Sequence, residues 1–225
     1  MFFAPEEQNS TKVLFYGRML FIDQHVLMPR EKTEATAKIA IAAIQRITKR
    51  SEVNLKVADI GTGSGALIIT IAKELEGYNL SLYATDISND ALDVARLNAN
   101  LYAQAERICF YYGDLLDALP TLPDVIVANL PYSPRGSHVT RETKNEPEVA
   151  IFDRGDGTWL IKQLFQQISR QLSRPQVVVL ENAPERLENI ANFVRGAFPT
   201  DSLTICTHKD HEGNPRVLEI IWPSE

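Results

Sequence analysis

Lys56-Val57-Ala58-Asp59-Ile60 runs directly into Gly61-Thr62-Gly63-Ser64-Gly65, and that into Ala66-Leu67-Ile68-Ile69-Thr70-Ile71-Ala72. The first five residues read as a short apolar strand, the glycine cluster as a tight turn, and the apolar run from Ala66 to Leu75 as a helix. Downstream the alternation continues. Leu80–Thr85 is a predicted strand ending at Asp86, and Ser88 is placed to cap a helix over Ala91–Leu101, with Asp90 and Asp93 near its positive end. Ile108–Tyr112 and Val125–Ala128 are further strands. The polar stretch Ser133–Glu148 is too long for a tight connection and marks a functional loop. Trp159–Leu172 has helical spacing, with Ile161, Leu164, Phe165, Ile168 and Leu172 on one face. Val177–Leu180 is a strand, and Pro184 suits the first turn of a helix reaching Ala197. Leu203–Thr207 and Val217–Trp222 follow each other with no helix between, which predicts an antiparallel pair. Strand and helix in alternation predict an α/β fold, a mostly parallel sheet covered on both faces.

Upstream, Val13–Ile22 is β-prone and broken at Gly17-Arg18, which predicts an N-terminal hairpin. Pro29 ends the extended Val26-Leu27-Met28, and Thr33 is placed to cap a helix with apolar positions Ile39, Ala40, Ala43, Ile44 and Ile47.

Composition bounds the function. The 225 residues carry 23 basic and 29 acidic side chains, a net charge of −6, with 44% hydrophobic residues. That balance argues against a strong electrostatic grip on nucleic acid. No apolar run reaches the roughly 20 residues that cross a bilayer. Met1-Phe2-Phe3-Ala4-Pro5-Glu6-Glu7 lacks the basic start of a signal peptide. Cys109 and Cys206 alone make no disulfide framework. The expectation is a single compact domain in the cytoplasm.

In such a sheet, ligands bind beyond the carboxyl ends of the strands, at the switch in strand order. Three features fall there. The glycines of Asp59–Gly65 let backbone approach a ligand closely, and the helix after them offers free N–H groups. The same run also fits a dinucleotide fingerprint with Ala66 at its third position, or a turn needed for packing alone. Asp86, about 20 residues on, can accept both hydroxyls of a ribose or merely cap the next helix. Asp114, in Gly113-Asp114-Leu115, can accept from an adenine amino group or serve as a turn residue. The third feature is Asn129-Leu130-Pro131-Tyr132, directly after an apolar strand. Asn129 supplies a side-chain carbonyl, and Pro131 biases Leu130 to an extended conformation that aims its backbone carbonyl. Two acceptors then converge on one NH₂ group while Tyr132 offers a flat wall. A planar amide or an aromatic amine suits that device; a nicotinamide enzyme has no evident use for it.

With these residues in view, the chain resembles class I S-adenosylmethionine-dependent methyltransferases, and within them the HemK-type glutamine methyltransferases that modify peptide chain release factors. Phe15-Tyr16-Gly17, then Val26-Leu27-Met28-Pro29-Arg30 and Thr33-Glu34, is similar to that family's hairpin and entry segment. Asp59–Gly65 is similar to its cofactor loop, Asp86 to its ribose acid, and Gly113-Asp114-Leu115 to its adenine-side segment. Asn129–Tyr132 stands at its Asn-Pro-Pro-Tyr motif, and Glu146-Pro147-Glu148 through Asp153-Arg154-Gly155-Asp156-Gly157 is similar to the segment after it. Leu130 departs from the usual proline. The family uses that position's carbonyl, so the chemistry is expected to survive, although Asn-Leu-Pro-Tyr also occurs in rRNA adenine dimethyltransferases.

The resemblance implies a Rossmann-like seven-stranded class I sheet with an antiparallel C-terminal hairpin. Residues 1–30 would form the N-terminal segment and hairpin, and 31–225 the catalytic domain. It implies S-adenosylmethionine as cofactor, held by Asp59, Gly61, Thr62, Gly63, Ser64, Gly65, Asp86, Ile87, Asp114, Leu115 and Asn129. Asn129, Leu130, Pro131 and Tyr132 would act on the acceptor. The implied substrate is a glutamine of a release factor or another translation protein. Bacterial members carry an N-terminal helical domain, whereas only a dozen or so residues precede this hairpin, so a small activating partner protein is a further expectation. The rivals are adenine-N6 methylation of DNA or RNA, a non-catalytic cofactor-binding module, and a nicotinamide oxidoreductase.

Other features are read plainly. Cys206, His208, His211 and Glu212 are assigned to a loop between the last strands rather than to a metal. His25 and His138 are read as loop residues. Arg135, Arg141 and Lys144 form either a solvated loop or a substrate-gripping lid.

Overall fold

The computed structural model describes residues 11–50, 53–137 and 146–223. Strands β1 (Thr11–Phe15) and β2 (Arg18–Ile22) form an antiparallel hairpin. Tyr16 and Gly17 both turn with positive φ, 49° and 73°, the twist that a two-residue hairpin turn needs to match its strands. The turn therefore sits one residue earlier than Gly17-Arg18, and Glu34 secures it by accepting the Tyr16 N–H at 2.7 Å.

A short 3₁₀ turn at Glu31–Thr33 leads into α1 (Glu34–Thr48), whose buried Ala37, Ala40, Ile41 and Ile44 follow helical spacing. Then come β3 (Leu55–Ile60), α2 (Ala66–Glu74), β4 (Leu80–Asp86), α3 (Asn89–Leu101), β5 (Ile108–Tyr112) and β6 (Val125–Ala128). The two-residue strands β7 (Ser133–Pro134) and β8 (Phe152–Asp153) pair in parallel on either side of α4 (Glu148–Ile151). The chain finishes with α5 (Trp159–Ser169), β9 (Val177–Glu181), α6 (Leu187–Ala197), β10 (Thr204–Lys209) and β11 (Pro215–Ile221). The polar stretch read as a loop from Ser133 thus begins as a strand, and His138, Arg141 and Lys144 lie outside the described residues.

Seven strands form one sheet in the order β10-β11-β9-β6-β3-β4-β5. Only β11 runs against its neighbours, pairing antiparallel with both β10 and β9, as the missing helix before it predicts. The central strands are apolar on both faces because helices cover both. Within β6, Val125 and Val127 join the cluster formed with α1, α2 and the hairpin, whereas Ile126 and Ala128 join the cluster formed with α5 and α6. Each such aliphatic side chain contributes about 1.5–3 kcal/mol by leaving water.

The hairpin does not stand apart from this core. Phe15 and Leu20 are buried in the first cluster, and Asn98 of α3 clips β2 in place. Its Oδ1 accepts the Phe21 N–H at 2.7 Å, and its Nδ2 donates to the carbonyls of Phe21 and Ser64, each at 2.9 Å. One expectation fails at α5. Ile161, Leu164, Phe165 and Ile168 are buried, but the helix ends at Ser169 and Leu172 is fully exposed.

Candidate active site

From β3 the chain winds outward through β4 to β5, then returns across β3 to add β6 and β9 on the other side. That reversal opens a crevice at the carboxyl ends of β3, β4 and β6. A cleft occupies it, enclosing about 1190 Å³ with the solvent at its mouth included. Among the residues expected to hold a cofactor, Gly61, Thr62, Gly63, Ser64, Asp86, Ile87, Asp114, Leu115 and Asn129 all line it.

The glycine loop is held from below. Asp59, at the end of β3, is buried under the loop, and its Oδ2 accepts the Thr62 hydroxyl at 2.7 Å. Burial pushes its carboxyl up to about 7, against the Thr62 bond and the Ile68 backbone, with the nearby Asp86 charge adding to the rise. Asp59 and Gly65 thus shape the loop without forming the cleft wall. Gly65 has φ of 80°, and a Cβ there would stand 2.8 Å from Ile69 Cδ1. Gly61, with φ of 71°, lies against the far side of the cleft, where a Cβ would stand 2.8 Å from Leu130 Cδ2.

Asp86 joins loop to strand. Its Oδ2 accepts the Gly63 N–H at 2.9 Å and its Oδ1 the Ser88 N–H at 3.0 Å. Ser88 in turn caps α3 through its hydroxyl, 3.2 Å from the Ala91 N–H. Burial raises the Asp86 carboxyl, and the Gly63, Ser88 and Ile87 N–H groups oppose that rise. Ile87 is 46% exposed, so an apolar surface lies beside a carboxylate. A nucleoside, one face apolar and one edge rich in hydroxyls, fits that pairing.

The opposite wall is assembled from distant segments. Asn129, Leu130 and Pro131 come from the end of β6, while His25, Val26, Leu27, Pro29 and Thr33 come from the segment before α1. His25 therefore stands at the cleft, its Nδ1 3.1 Å from Asp23 Oδ2. Glu146 fixes this segment by accepting from the Met28 N–H at 3.0 Å and from Arg30 at 2.8 Å. Val149, Phe152, Arg154, Trp159 and Leu160 close the cleft. Buried Asp153 folds that stretch, accepting N–H groups from Gly155, Gly157 and Trp159 on Oδ2 and from Leu160 on Oδ1, at 2.8–3.1 Å.

Thr33 departs from its expected role. Its own backbone is already helical, at φ −70° and ψ −16°, and its hydroxyl makes no cap bond. Asn129 Nδ2 donates to that hydroxyl at 3.4 Å. Tyr132 follows Pro131 and does not line the cleft. Burial pushes its hydroxyl up to about 12, with Glu181 acting the same way and Arg216, Arg186 and Arg30 opposing. Thr33 and the Val149–Gly157 stretch fall in segments that resemble the family's but carry no assigned role at the site, and His25, Trp159 and Leu160 carry no motif for a ligand. The histidines near the C-terminus engage carboxylates singly: His208 Nε2 lies 2.8 Å from Glu219, and His211 Nε2 lies 3.8 Å from Glu31. Among the described residues no helix is long and apolar enough to cross a membrane.

The family described as Ribosomal protein L11 methyltransferase (PrmA) matches residues 33–132. The release factor glutamine methyltransferase of Bacillus cereus is 35% identical over 83% of this chain and 66% of its own length. That of Dictyoglomus turgidum is 32% identical over 94% of this chain and 73% of its own. The ribosomal protein uL3 glutamine methyltransferase of Burkholderia pseudomallei is 33% identical over 84% of this chain and 64% of its own. The chain thus spans about two thirds of the length of the curated relatives it matches. Among solved structures, the hMettl16 catalytic domain in complex with MAT2A 3'UTR hairpin 6 has a TM-score of 0.68 at 14% identity, covering 93% of this chain and 77% of that one. At that identity the likeness speaks to the fold, which is the class I methyltransferase sheet. With about a third of its residues shared with these relatives, over most of its own length and nearly three quarters of the Dictyoglomus protein, the chain belongs to the release factor glutamine methyltransferase family.

Proposed function

We propose that this protein methylates the side-chain amide nitrogen of a glutamine in a peptide chain release factor, using S-adenosylmethionine. The observation that carries this reading is the Asn129 amide, whose NH₂ end is engaged by Thr33, 3.4 Å away. Its Oδ1 is then the end left to accept from a second NH₂ group, beside a cleft whose other half suits a nucleoside. S-adenosylmethionine bound in the cleft supplies an electrophilic methyl on a sulfonium.

A glutamine amide nitrogen is a poor nucleophile because its lone pair is delocalised into the carbonyl. In this reading Asn129 Oδ1 and the Leu130 carbonyl accept its two N–H groups. Those bonds raise electron density on nitrogen, hold it in line for transfer and stabilise the developing positive charge. The donor would supply the methyl and leave as a neutral thioether, and the proton the nitrogen then loses would pass to water, so no strong base is demanded of the protein. Pro131 keeps Leu130 extended, and the buried Leu130 side chain anchors the pair against Gly61. Tyr132 belongs to the acceptor side as support for this segment. The proposal includes a small activating partner and a cytoplasmic location, the latter because the translation proteins it would act on work there.

A ribosomal protein is the second acceptor considered, because one relative bears that name. The test supplies methyl-labelled S-adenosylmethionine together with release factor, ribosomal proteins, DNA and RNA, and locates the label by mass spectrometry. Label on a release-factor glutamine is expected. Label on adenine, or none despite tight cofactor binding, overturns the proposal. Retention of a small protein by the tagged chain tests the partner.

A further inference from the structure

We infer that Arg154, laid over the Trp159 ring at the cleft mouth, binds a carboxylate of the acceptor polypeptide close to the target glutamine. The inference rests on the glutamine-amide reading and deepens it by naming a chemical feature of the substrate.

The pair stands on the acceptor side of the cleft. Strand β8 lies beside β7, with Phe152 opposite Ser133 and Asp153 opposite Pro134. The turn that follows β8 is therefore mounted next to the chain leaving Tyr132. Gly157 belongs to the same turn, and a Cβ on it would run into the Tyr132 carbonyl oxygen. Arg154 and Trp159 both line the cleft, as do Val149, Phe152 and Leu160. The Asp86 carboxyl, by contrast, stands at the end of β4, two strands from β6.

The mount fixes the pair and leaves the guanidinium available. Arg154 is exposed, and its Cζ lies 5.2 Å from the centre of the Trp159 ring. Gly155 lets that ring come close, since a Cβ there would stand 3.2 Å from Trp159 Cβ. Two acids flank Arg154, and among the described residues neither pairs with it. Asp153 spends its oxygens on the N–H groups of Gly155, Gly157, Trp159 and Leu160. Asp156 accepts the Thr158 N–H and hydroxyl on Oδ1 and Lys162 on Oδ2. A guanidinium over an aromatic face keeps its N–H edges outward, and that fork matches the two oxygens of a carboxylate. A backbone carbonyl offers one oxygen and no charge, so a carboxylate is the better fit.

The test measures kcat and KM for release factor over a range of salt, with S-adenosylmethionine affinity by calorimetry, in Arg154→Gln, Arg154→Lys and Trp159→Leu. Loss of one partner of a charged pair should raise KM about tenfold in Arg154→Gln, with a much smaller fall in kcat. Wild-type KM should rise with salt, and that rise should flatten in the same variant. Arg154→Lys keeps the charge without the fork and should recover part of the loss. Trp159→Leu should raise KM about threefold. Arg170→Gln removes the same charge at the exposed far end of α5, and there KM should stay within about twofold. Each Asp or Glu within about ten residues of the labelled glutamine, a span the chain can carry past the cleft mouth, is then changed to its amide in the release factor. One such change should match Arg154→Gln, and the two together should cost no more than either alone. Unmoved KM in folded Arg154→Gln overturns the inference, as does an equal rise in Arg170→Gln or the absence of any acid that couples to Arg154. A loss of donor affinity in Arg154→Gln also overturns it, because the guanidinium then holds the donor's own carboxylate. Label on adenine in the wild type would instead sink the functional reading, and it is scored before any variant is made.

Discussion

At the ends of β3 and β4, the cleft is made by neighbours in sequence. Thr62 binds Asp59 three residues back and Ser88 binds Asp86 two residues back, and the bonds that join the loop to the adjacent strand end, from Gly61 and Thr62 to the Thr85 carbonyl and from Gly63 to Asp86, span 23 or 24 positions. At the end of β6, Asn129 meets Thr33 across 96 positions, and the Glu181 carboxyl is shared with Thr36 across 145. One half is a local turn that a short peptide pattern specifies. The other exists only once the sheet has closed and the turn before α1 has brought Thr33 to Asn129. Binding of the donor and activation of the acceptor should therefore separate under mutation.

Asn129→Ala should give the largest effect, a loss of about 100-fold or more in kcat, the scale of removing one aimed polar group. Donor affinity measured by calorimetry should hardly change, and a matching loss there would erase the distinction between the halves. Asp86→Ala should do the reverse. Hydrogen bonds to a charged group contribute about 1.5–3 kcal/mol, so donor affinity should fall about tenfold or more while kcat at saturating donor holds. Gly61→Ala probes the seam. Its φ of 71° and a Cβ 2.8 Å from Leu130 Cδ2 push on both walls. A left-handed conformation costs an L-residue about 1–2 kcal/mol, so affinity and turnover should each fall by about fivefold to tenfold in the same titrations. A defect confined to one of them would show the halves to be more independent than the contact implies.

Asp59 should affect the chemistry least and stability instead. Its carboxyl is pushed up to about 7 in the fold from an ordinary 3.8. Between those values the folded state keeps a proton that the unfolded chain has released, so stability falls as pH rises from about 4 to about 7 and then levels off. Melting curves from pH 5 to pH 8 should show the wild type losing several degrees relative to Asp59→Asn. A parallel fall in both proteins would assign the trend to other groups.

The cofactor half was readable because its geometry follows from residue type. Three glycines take positive φ, an acid ends a strand, and a serine caps the helix after it. The same local logic placed the parallel strands and the antiparallel pair at the end. It failed where position in space decides the role. Thr33 looks like a cap in sequence, but the preceding 3₁₀ turn had already made its backbone helical and left its hydroxyl for Asn129. Leu172 continues an apolar stripe on paper and sits in solvent beyond the helix end.

From the order of its residues alone, this chain declares an alternating α/β sheet, a glycine turn with its acid, and an asparagine poised after a buried strand. Those are consequences of backbone conformation and periodicity over a few residues. Which side chain meets that asparagine was settled by the approach of the turn before α1, which brings Thr33 to it. A hydrogen bond needs its partners within about 3 Å, and only the folded sheet brings such distant positions that close.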